Sequence, residues 1–328
     1  DLHLCDRRQR QMCIRDSYLS DQIRNNIPKR NIEEGRESVR MFVEMLKKRK
    51  INVIDEAILN RAYEEEDYVD EKMLGLVLKA LKIDEPVQYI PRYIRNMNAF
   101  HANGTKVVVV DELLEYTLIS FLFTMYSLEN NRSEENVTRC MKNFYVLEDL
   151  QNGKREIGTH NETQLYEMSL LPENLMHTAM DNYWTIWTFL IGHELYHAIH
   201  PEDRNGKDTE LRADQYAYRL LINLIMQQKK NEVPEELQVF WEDQYLSPII
   251  LFEMFRLFDV YSELKGKEIV YQDHPTPKER QDNIFSMFKD DIPEEMNTEE
   301  GNKVLNLILN SSEYAEDWLR YKISKGKL

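Results

Sequence analysis

The sequence predicts an α+β protein that is predominantly helical, with a small β-sheet beside two long helices. Only 10 glycines and 10 prolines occur in 328 residues, which favours long helices over tight turns. β-prone residues are concentrated between residues 87 and 110, and apolar residues at helical spacing occupy much of the remaining chain. A hydrophobic content of 42% is enough to form a core.

The first 17 residues are interpreted as an artefact. Residues 7–16 read Arg-Arg-Gln-Arg-Gln-Met-Cys-Ile-Arg-Asp, which corresponds codon by codon to a sequencing adapter and is a less natural match to a basic targeting segment. The natural N-terminus is therefore expected to be missing. Without Cys5 and Cys13, Cys140 remains as a single cysteine, which cannot form an internal disulfide and favours a reducing compartment.

Charge and hydropathy argue against two classes of partner. The formal net charge of −16 disfavours a nucleic-acid-binding surface, because phosphate contacts need clustered Lys and Arg. No segment approaches the ~20 apolar residues of a membrane span. The best candidate, Leu113–Tyr126, is short and contains Glu115. The sequence gives no indication of an oligomeric state.

A helical N-terminal region is predicted for residues 18–85. Apolar residues recur at helical spacing in Val39–Leu46, and a more buried helix is expected at Leu74–Leu81. Pro86 breaks the helical pattern.

A small sheet is predicted next. Asn103-Gly104 is a strong hairpin signal, because both positions tolerate positive φ. Asp111 can cap a helix that begins at Glu112. The three predicted strands are Val87–Ile90, Ile94–Phe100 and Lys106–Val110.

Two helices dominate the predicted core region, residues 86–230. The first is predicted at Asn182–His200, and the second runs to about Lys230 after a turn at Pro201–Gly206. Asp208 or Thr209 can cap the second helix.

The flanking segments are predicted to be simpler. Residues 128–172 are polar and are interpreted as an insertion of loops and short helices within the core region. Residues 231–328 form a predicted C-terminal helical region that is broken at four prolines: Pro234, Pro248, Pro275 and Pro277.

His193-Glu194-Leu195-Tyr196-His197 carries the strongest chemical signal. Residues four apart share one face of a helix, so both imidazoles can bind one ion, and Glu194 can reach a water molecule beside it. Zn²⁺ suits nitrogen ligands. The segment is strongly apolar, and unliganded His and Glu would be costly to bury there. The pattern predicts Zn²⁺ at His193 and His197, with Glu194 as general base.

A third protein ligand is required, and three residues are candidates. The Pro201–Gly206 turn can bring the second helix back against the first, which would place Glu210 at the metal. Asp214 would then share the face of Glu210 and could accept a hydrogen bond from a ligand imidazole. The alternatives are Asp203, six residues past the second histidine, and His200. We predict Glu210 as ligand and Asp214 as its supporting neighbour.

The motifs together resemble a known group of enzymes. HELYH at 193–197 followed by ELRAD at 210–214 is similar to the glutamate-zincin (gluzincin) peptidases, especially the HtpX/CAAX-prenyl-protease type. Asn98-Ala99-Phe100 with the strand after it, and His274-Pro275 with Arg280, resemble two further motifs of that group. The resemblance extends over about residues 95–285, by motif rather than by full-length match.

The resemblance implies a zincin-like metalloprotease domain at residues 86–230. It also implies that Asn98, Ala99 and Phe100 form an edge strand that binds extended substrate. Only 12 residues separate His197 from Glu210, far fewer than in the membrane-bound members. A compact relative, such as the phage-exclusion Lit peptidases or the repressor-cleaving ImmA/IrrE type, fits this spacing better.

A hydrogen-bond donor is needed for the negative charge of the transition state. His274, Tyr216 and Arg280 are candidates. The resemblance favours His274 as the catalytic residue.

The expected activity is that of a bacterial cytoplasmic zinc endopeptidase that acts on a protein or peptide, with a role in phage defence or a stress or toxin-like response. One rival is a zinc hydrolase of a non-peptide amide, for which a closed pocket would replace a free edge strand. The other is a non-catalytic protein with a structural zinc, which needs a fourth protein ligand.

Overall fold

The computed structural model describes residues 66–84, 87–92, 94, 95, 97–101, 106–154, 171–201, 203, 206–235, 238–272, 274–287 and 299–326, with the isolated positions 40, 44 and 47. Three calls from the sequence lie outside these residues: residues 1–17, the apolar stripe of Val39–Leu46, and the Asn103-Gly104 turn. Within the described ranges the chain is mostly helical with one small sheet, as predicted.

The helices and strands are numbered here in chain order. The helices are α1 (Glu66–Ala80), α2 (Glu112–Asn130), α3 (Glu134–Gln151), α4 (Glu173–Ile199), α5 (Lys207–Lys229), α6 (Ser247–Leu264), α7 (Pro277–Met287) and α8 (Glu299–Ser324), with a short 3-10 helix at Glu242–Gln244. The strands are β1 (Gln88–Arg92), β2 (Ala99–His101) and β3 (Val107–Asp111).

The sheet has the order β1-β3-β2, so β2 is an edge strand. β1 runs parallel to β3, and β2 runs antiparallel to it with Phe100 opposite Val109. Every residue of β3 is buried, as expected for a central strand that is continuously apolar. The hairpin pairing predicted around residues 103–104 is therefore present in the strands on either side of that turn.

Asp111 organises the short β2. Its carboxylate accepts hydrogen bonds from the backbone N–H groups of Ile94 (3.0 Å), Met97 (2.9 Å) and Leu113 (3.0 Å). The third of these is the predicted N-cap of α2. The first two hold the chain in a turn where Arg95 and Met97 have φ of +66° and +47°, an unfavourable region for residues with a side chain. β2 is therefore shorter than the predicted Ile94–Phe100.

The interpretation of residues 128–172 as loops and short helices was wrong for its first half. α2 extends to Asn130, and α3 is an 18-residue helix whose first turn is capped by the side chain of Ser133. The residues of α3 that face the core recur at helical spacing: Val137, Cys140, Met141, Phe144 and Leu147. The many polar residues of the segment led to the prediction of loops, although these apolar residues have the spacing of a helix.

α4 and α5 pack back along each other and form the centre of the molecule. α4 begins at Glu173, well before the predicted Asn182, and its apolar residues surround the helix, which fits its burial. The predicted cap of α5 was wrong, because Gly206 occupies the N-cap position and gives no side-chain bond. Asp208 lies instead in the first turn, where a carboxylate favours the positive end of the helix dipole.

Gly192 allows the close approach of these two helices. A Cβ at this position would lie 2.8 Å from the Leu220 side chain and 3.3 Å from the Ala217 backbone. A side chain here would displace the end of Leu220 and press on the backbone of α5, so glycine favours the close packing of the helices one residue before His193.

The remaining helices complete one core. The buried apolar cluster includes Met73 from α1 and Leu319 from α8, so it crosses both boundaries predicted from the sequence, at 85/86 and 230/231. Pro248 and Pro277 lie in the first turns of α6 and α7 and start these helices rather than breaking them. Of the helices in the described ranges, none is both long and apolar enough to cross a membrane.

We predict that Asp111→Ala lowers the free energy of unfolding by about 3 kcal/mol, because three backbone donors lose a charged acceptor. Asp111→Asn should lose less, since one oxygen acceptor remains for the helix cap. Urea unfolding followed by circular dichroism measures both. A loss below ~0.5 kcal/mol in Asp111→Ala, typical of a neutral surface change, would contradict this account.

Candidate metal centre

Three side chains converge between α4 and α5. The Nε2 atoms of His193 and His197 lie 3.2 Å apart, and Glu210 places one carboxylate oxygen 3.3 Å from the first and the other 3.4 Å from the second. The two histidines are one helical turn apart, and the close packing at Gly192 brings Glu210 to them from α5. This partly or fully buried group could hold a metal ion.

The two imidazole nitrogens are spaced as ligands of a small tetrahedral cation would be. Bonds of about 2.0–2.1 Å at tetrahedral angles place neighbouring ligand atoms about 3.3 Å apart. The Nε2 atoms of His193 and His197 are 3.2 Å apart, and each has a different oxygen of Glu210 at a similar distance, Oε2 at 3.3 Å and Oε1 at 3.4 Å.

Asp214 fixes the orientation of His193. Its Oδ1 lies 2.9 Å from His193 Nδ1, and the carboxylate is fully buried. An ionised carboxylate only accepts hydrogen bonds, so Nδ1 carries a proton, and Nε2, once its own proton is released, turns a lone pair towards His197 and Glu210. This is the role predicted for Asp214.

Arg280 holds Asp214 in turn. Its Nε lies 2.8 Å from Asp214 Oδ2 and its Nη2 lies 2.5 Å from Oδ1. Burial raises the pKa of Asp214, but the guanidinium outweighs burial and holds that pKa below its usual range. Arg280 was one candidate donor for the transition state. Its guanidinium is instead committed to Asp214, which makes it a positioning residue.

Protonation of the metal-free group follows from these contacts. Burial lowers the pKa of His193, but hydrogen bonds to Asp214 and Glu210 outweigh burial and raise it to about 9. Burial raises the pKa of Glu210, but the hydrogen bond to His193 and the charge of His193 outweigh burial and lower that pKa to about 2. Burial, followed by the charge of His193, lowers the pKa of His197 to about 4.

Glu194 is buried next to the group without belonging to it. Burial raises its pKa to about 7, and this effect exceeds the lowering by the charge of His193 and by the backbone N–H of His101. A carboxyl group with this pKa exchanges a proton readily near neutral pH, as a general base must.

His101 is a site residue that the sequence reasoning missed. Its ring stacks on that of His197, with centroids 5.6 Å apart and planes 13° from parallel, and its backbone N–H bonds to Glu194. It follows directly on the predicted substrate strand Asn98–Phe100, which was the available signal. β2 thus contacts both a ligand and the predicted base.

The edge strand presents alternate backbone groups to the cleft. Asn98 accepts a bond from the N–H of Asp111, so Asn98 and Phe100 pair with β3. Ala99 and His101 therefore direct their N–H and C=O groups away from the sheet. Of the predicted strand Asn98, Ala99 and Phe100, only Ala99 offers backbone groups at the outer edge, where His101 joins it.

The alternative third ligands lie elsewhere. Asp203 accepts hydrogen bonds from the hydroxyl of Tyr196 (2.5 Å) and from Arg212 Nη2 (3.0 Å). His200 and Tyr216 belong to an aromatic cluster around Tyr196. Among the described residues, Glu210 is the carboxylate that joins the two histidines.

His274 lies at the rim of the group. Its side chain is 68% exposed, and its Nδ1 is 3.4 Å from an oxygen of Glu210. The contact with a predicted ligand places it within reach of the cleft, whereas Tyr216 packs against other rings.

Comparisons of the chain with models of known protein families, with characterised proteins and with experimentally determined structures found no match. The case for function therefore rests on the residues and their geometry.

We predict that binding of Zn²⁺ to the metal-free protein at pH 7 releases about one proton, from His193. The His193 proton is retained below pH about 9, whereas His197 and Glu210 are already deprotonated at pH 7. The logarithm of the affinity should thus rise by about 1 per pH unit from pH 6 to 8 and level off above pH 9.

Calorimetry in buffers of different ionisation enthalpy measures the protons released. Asp214→Asn is the matched control, because it removes the strongest upward influence on the His193 pKa and should reduce proton release at pH 8. A pH-independent affinity in wild type would contradict the protonation described here.

Proposed function

We propose that the protein is a zinc-dependent endopeptidase that hydrolyses peptide bonds in a protein or polypeptide substrate. The observation that carries the proposal is the triangle of His193, His197 and Glu210, with ligand atoms 3.2–3.4 Å apart and Glu194 buried beside it. The motif resemblance to the glutamate-zincin peptidases points to the same reaction.

Zinc is supported by the donor set and by charge. Two imidazole nitrogens and one carboxylate suit Zn²⁺, and Mg²⁺ and Ca²⁺ prefer oxygen ligands. Once the His193 proton is displaced, the carboxylates of Glu210 and Asp214 and the guanidinium of Arg280 leave a formal charge of −1, which becomes −2 when Glu194, with its pKa of about 7, is ionised. A divalent cation would balance that buried charge.

A catalytic site agrees better with the ligand set than a structural site does. Structural zinc has four protein ligands, and catalytic zinc has three with a position left for water or substrate. Asp203 and His200, the candidates for a fourth ligand, are held by Tyr196 and its neighbours. The described residues therefore offer three ligands.

The chemistry is divided between the metal and Glu194. Bound zinc would supply Lewis acidity, lowering the pKa of a nearby water from ~15.7 towards ~7. Glu194 accepts the proton of the attacking water and delivers it to the leaving amine. The pKa of about 7 suits both directions of transfer. His274, whose exposed ring has Nδ1 3.4 Å from an oxygen of Glu210, is the proposed group that stabilises the charge developing on the carbonyl oxygen.

A peptide substrate is favoured over a small amide by the edge of β2. The N–H and C=O groups of Ala99 and the C=O of His101 lie at the outer edge of β2, where an extended chain can add to the sheet, while the N–H of His101 bonds to Glu194. Backbone pairing of this kind aligns a polypeptide next to the catalytic group and offers little to a compact amide.

We predict that Glu194→Gln keeps its zinc and loses cleavage. Glutamine preserves the shape of the side chain but cannot take a proton, so the rate should fall about 10²–10⁴-fold. Digestion of a bacterial lysate, with the metal content of both proteins measured, is the test. Equal cleavage by both proteins would refute the mechanism, and a zinc-free wild type would refute the class.

We predict that Glu210→Ala weakens zinc binding by more than the ~10–100-fold typical of losing an outer partner, because it removes a direct ligand. Asp203→Ala is the matched control: it removes a nearby carboxylate that Tyr196 and Arg212 hold, and should leave zinc affinity unchanged. Competition with a chelating dye measures both affinities. The reverse order would reassign the third ligand.

A further inference from the structure

A cavity of about 490 Å³ opens beside the metal centre, a size typical of ligand pockets. Asn98, which precedes the edge strand, and His274, which contacts Glu210, form part of its lining. A polypeptide aligned along β2 would therefore pass the mouth of this cavity next to the bond that is cleaved.

One wall of the cavity is apolar and aromatic. Phe144 and Leu147 come from α3, and Phe255 and Phe258 come from α6. The rings of Phe144 and Phe258 are 5.0 Å apart, so the wall is a continuous packed surface. Phe255 and Phe258 are only partly buried, which leaves aromatic surface open to a guest.

Two carboxylates also line the cavity, and their surroundings differ. Glu148 is compensated: it accepts a bond from the hydroxyl of Tyr261 (2.7 Å) and has Lys267 at 3.4 Å and Lys265 at 3.9 Å. Asp259 accepts a bond from the hydroxyl of Tyr271 at 2.5 Å, through Oδ2. No cation of the described chain lies within ion-pair distance of Asp259.

Among the described residues, the carboxylate of Asp259 therefore has no cationic partner. Burial raises its pKa, and the neighbouring Glu263 adds to that effect. Arg280 and Lys267 also line the cavity, but the guanidinium is paired with Asp214 and the ammonium group with Glu148, so they add little net positive charge. A positively charged guest would compensate Asp259.

We propose that this cavity is the specificity subsite of the enzyme and binds an arginine or lysine side chain of the substrate next to the cleaved bond. The aliphatic stem of such a side chain packs on the apolar wall while its charged end reaches Asp259. Arginine is favoured over lysine, because a guanidinium stacks on aromatic rings. The role as a protease subsite rests on the proposed function, whereas the binding preference can be measured without it.

The first test is binding without hydrolysis. Fluorescent peptides that differ only at one position, with Arg, Lys, norleucine or Glu there, are titrated into zinc-loaded Glu194→Gln and followed by anisotropy. The Arg peptide should bind about 10-fold or more tightly than the norleucine peptide, because a charged pair forms in a half-buried setting, and the Glu peptide should bind most weakly.

Substitutions at 259 identify the residue responsible. Asp259→Asn keeps the shape and the bond to Tyr271 but removes the charge, so the Arg-to-norleucine affinity ratio should fall towards 1. Asp259→Lys should reverse the order of the Arg and Glu peptides. Glu263→Gln is the matched control, because it removes an equal charge from α6 at an exposed position outside the cavity lining and should keep the ratio.

Three outcomes would overturn the subsite: no preference for a basic residue, a ratio that Asp259→Asn leaves intact, or a preference for a large apolar residue. The cleavage of the same peptides by wild type separates the two proposals. Cleavage without a preference for basic residues would refute the subsite and would agree with the peptidase proposal. A preference for basic residues in binding, with no cleavage of any peptide or lysate protein, would refute the peptidase proposal and would agree with a cavity that binds basic side chains.

Discussion

The buried pair of Arg280 and Asp214 is the interaction on which the geometry of the site depends. A fully buried carboxylate is costly unless a charge and hydrogen bonds compensate it, and Arg280 supplies both through Nε and Nη2. Asp214 can then stay ionised and hold the Nδ1 proton of His193, so that Nε2 presents a lone pair to the ligand group. The three residues come from α7, α5 and α4, and the chain of bonds fastens three helices at one point.

Helix separation is the second constraint, because the ligand atoms belong to two helices. At Gly192 the backbones of α4 and α5 approach so closely that a Cβ would meet Ala217 and Leu220. Glu210 is buried in this packing and reaches both imidazoles at nearly equal distances. On the other side, Asp111 fixes the turn that leads into β2 and so sets where His101 meets His197 and Glu194. The predicted ligands and the predicted base are thus held by the packing of α4 against α5 and by the turn at Asp111.

The sequence predicts best what depends on one element alone. The positions of His193, Glu194 and His197 follow from helical periodicity, and the cap at Asp111 follows from a local preference. Predicting Glu210 as a ligand required the turn after α4 and the contact between α4 and α5 to be correct, and the ELRAD motif at 210–214 supported that prediction. The pairing of Arg280 with Asp214 was not predictable, because the two residues are 66 positions apart and the guanidinium could equally have faced a substrate. α3 was missed because its polar surface outweighed an apolar stripe that was present, and α4 begins nine residues before the predicted Asn182.

In the proposed enzyme, Asp214 also links the metal centre to the cavity that selects the substrate. Arg280 lies at once beside His193 and in the lining of the cavity that holds Asp259. An uncompensated guanidinium there would repel a basic guest, and the carboxylate of Asp214 removes most of that repulsion. In the proposed enzyme, the same negative charge orients a metal ligand and makes the cavity acceptable to a cation. Since Asp259 is on α6 and the proposed ligands are on α4 and α5, the proposed preference of the cavity could change without altering the metal centre, provided that the Arg280–Asp214 pair is kept.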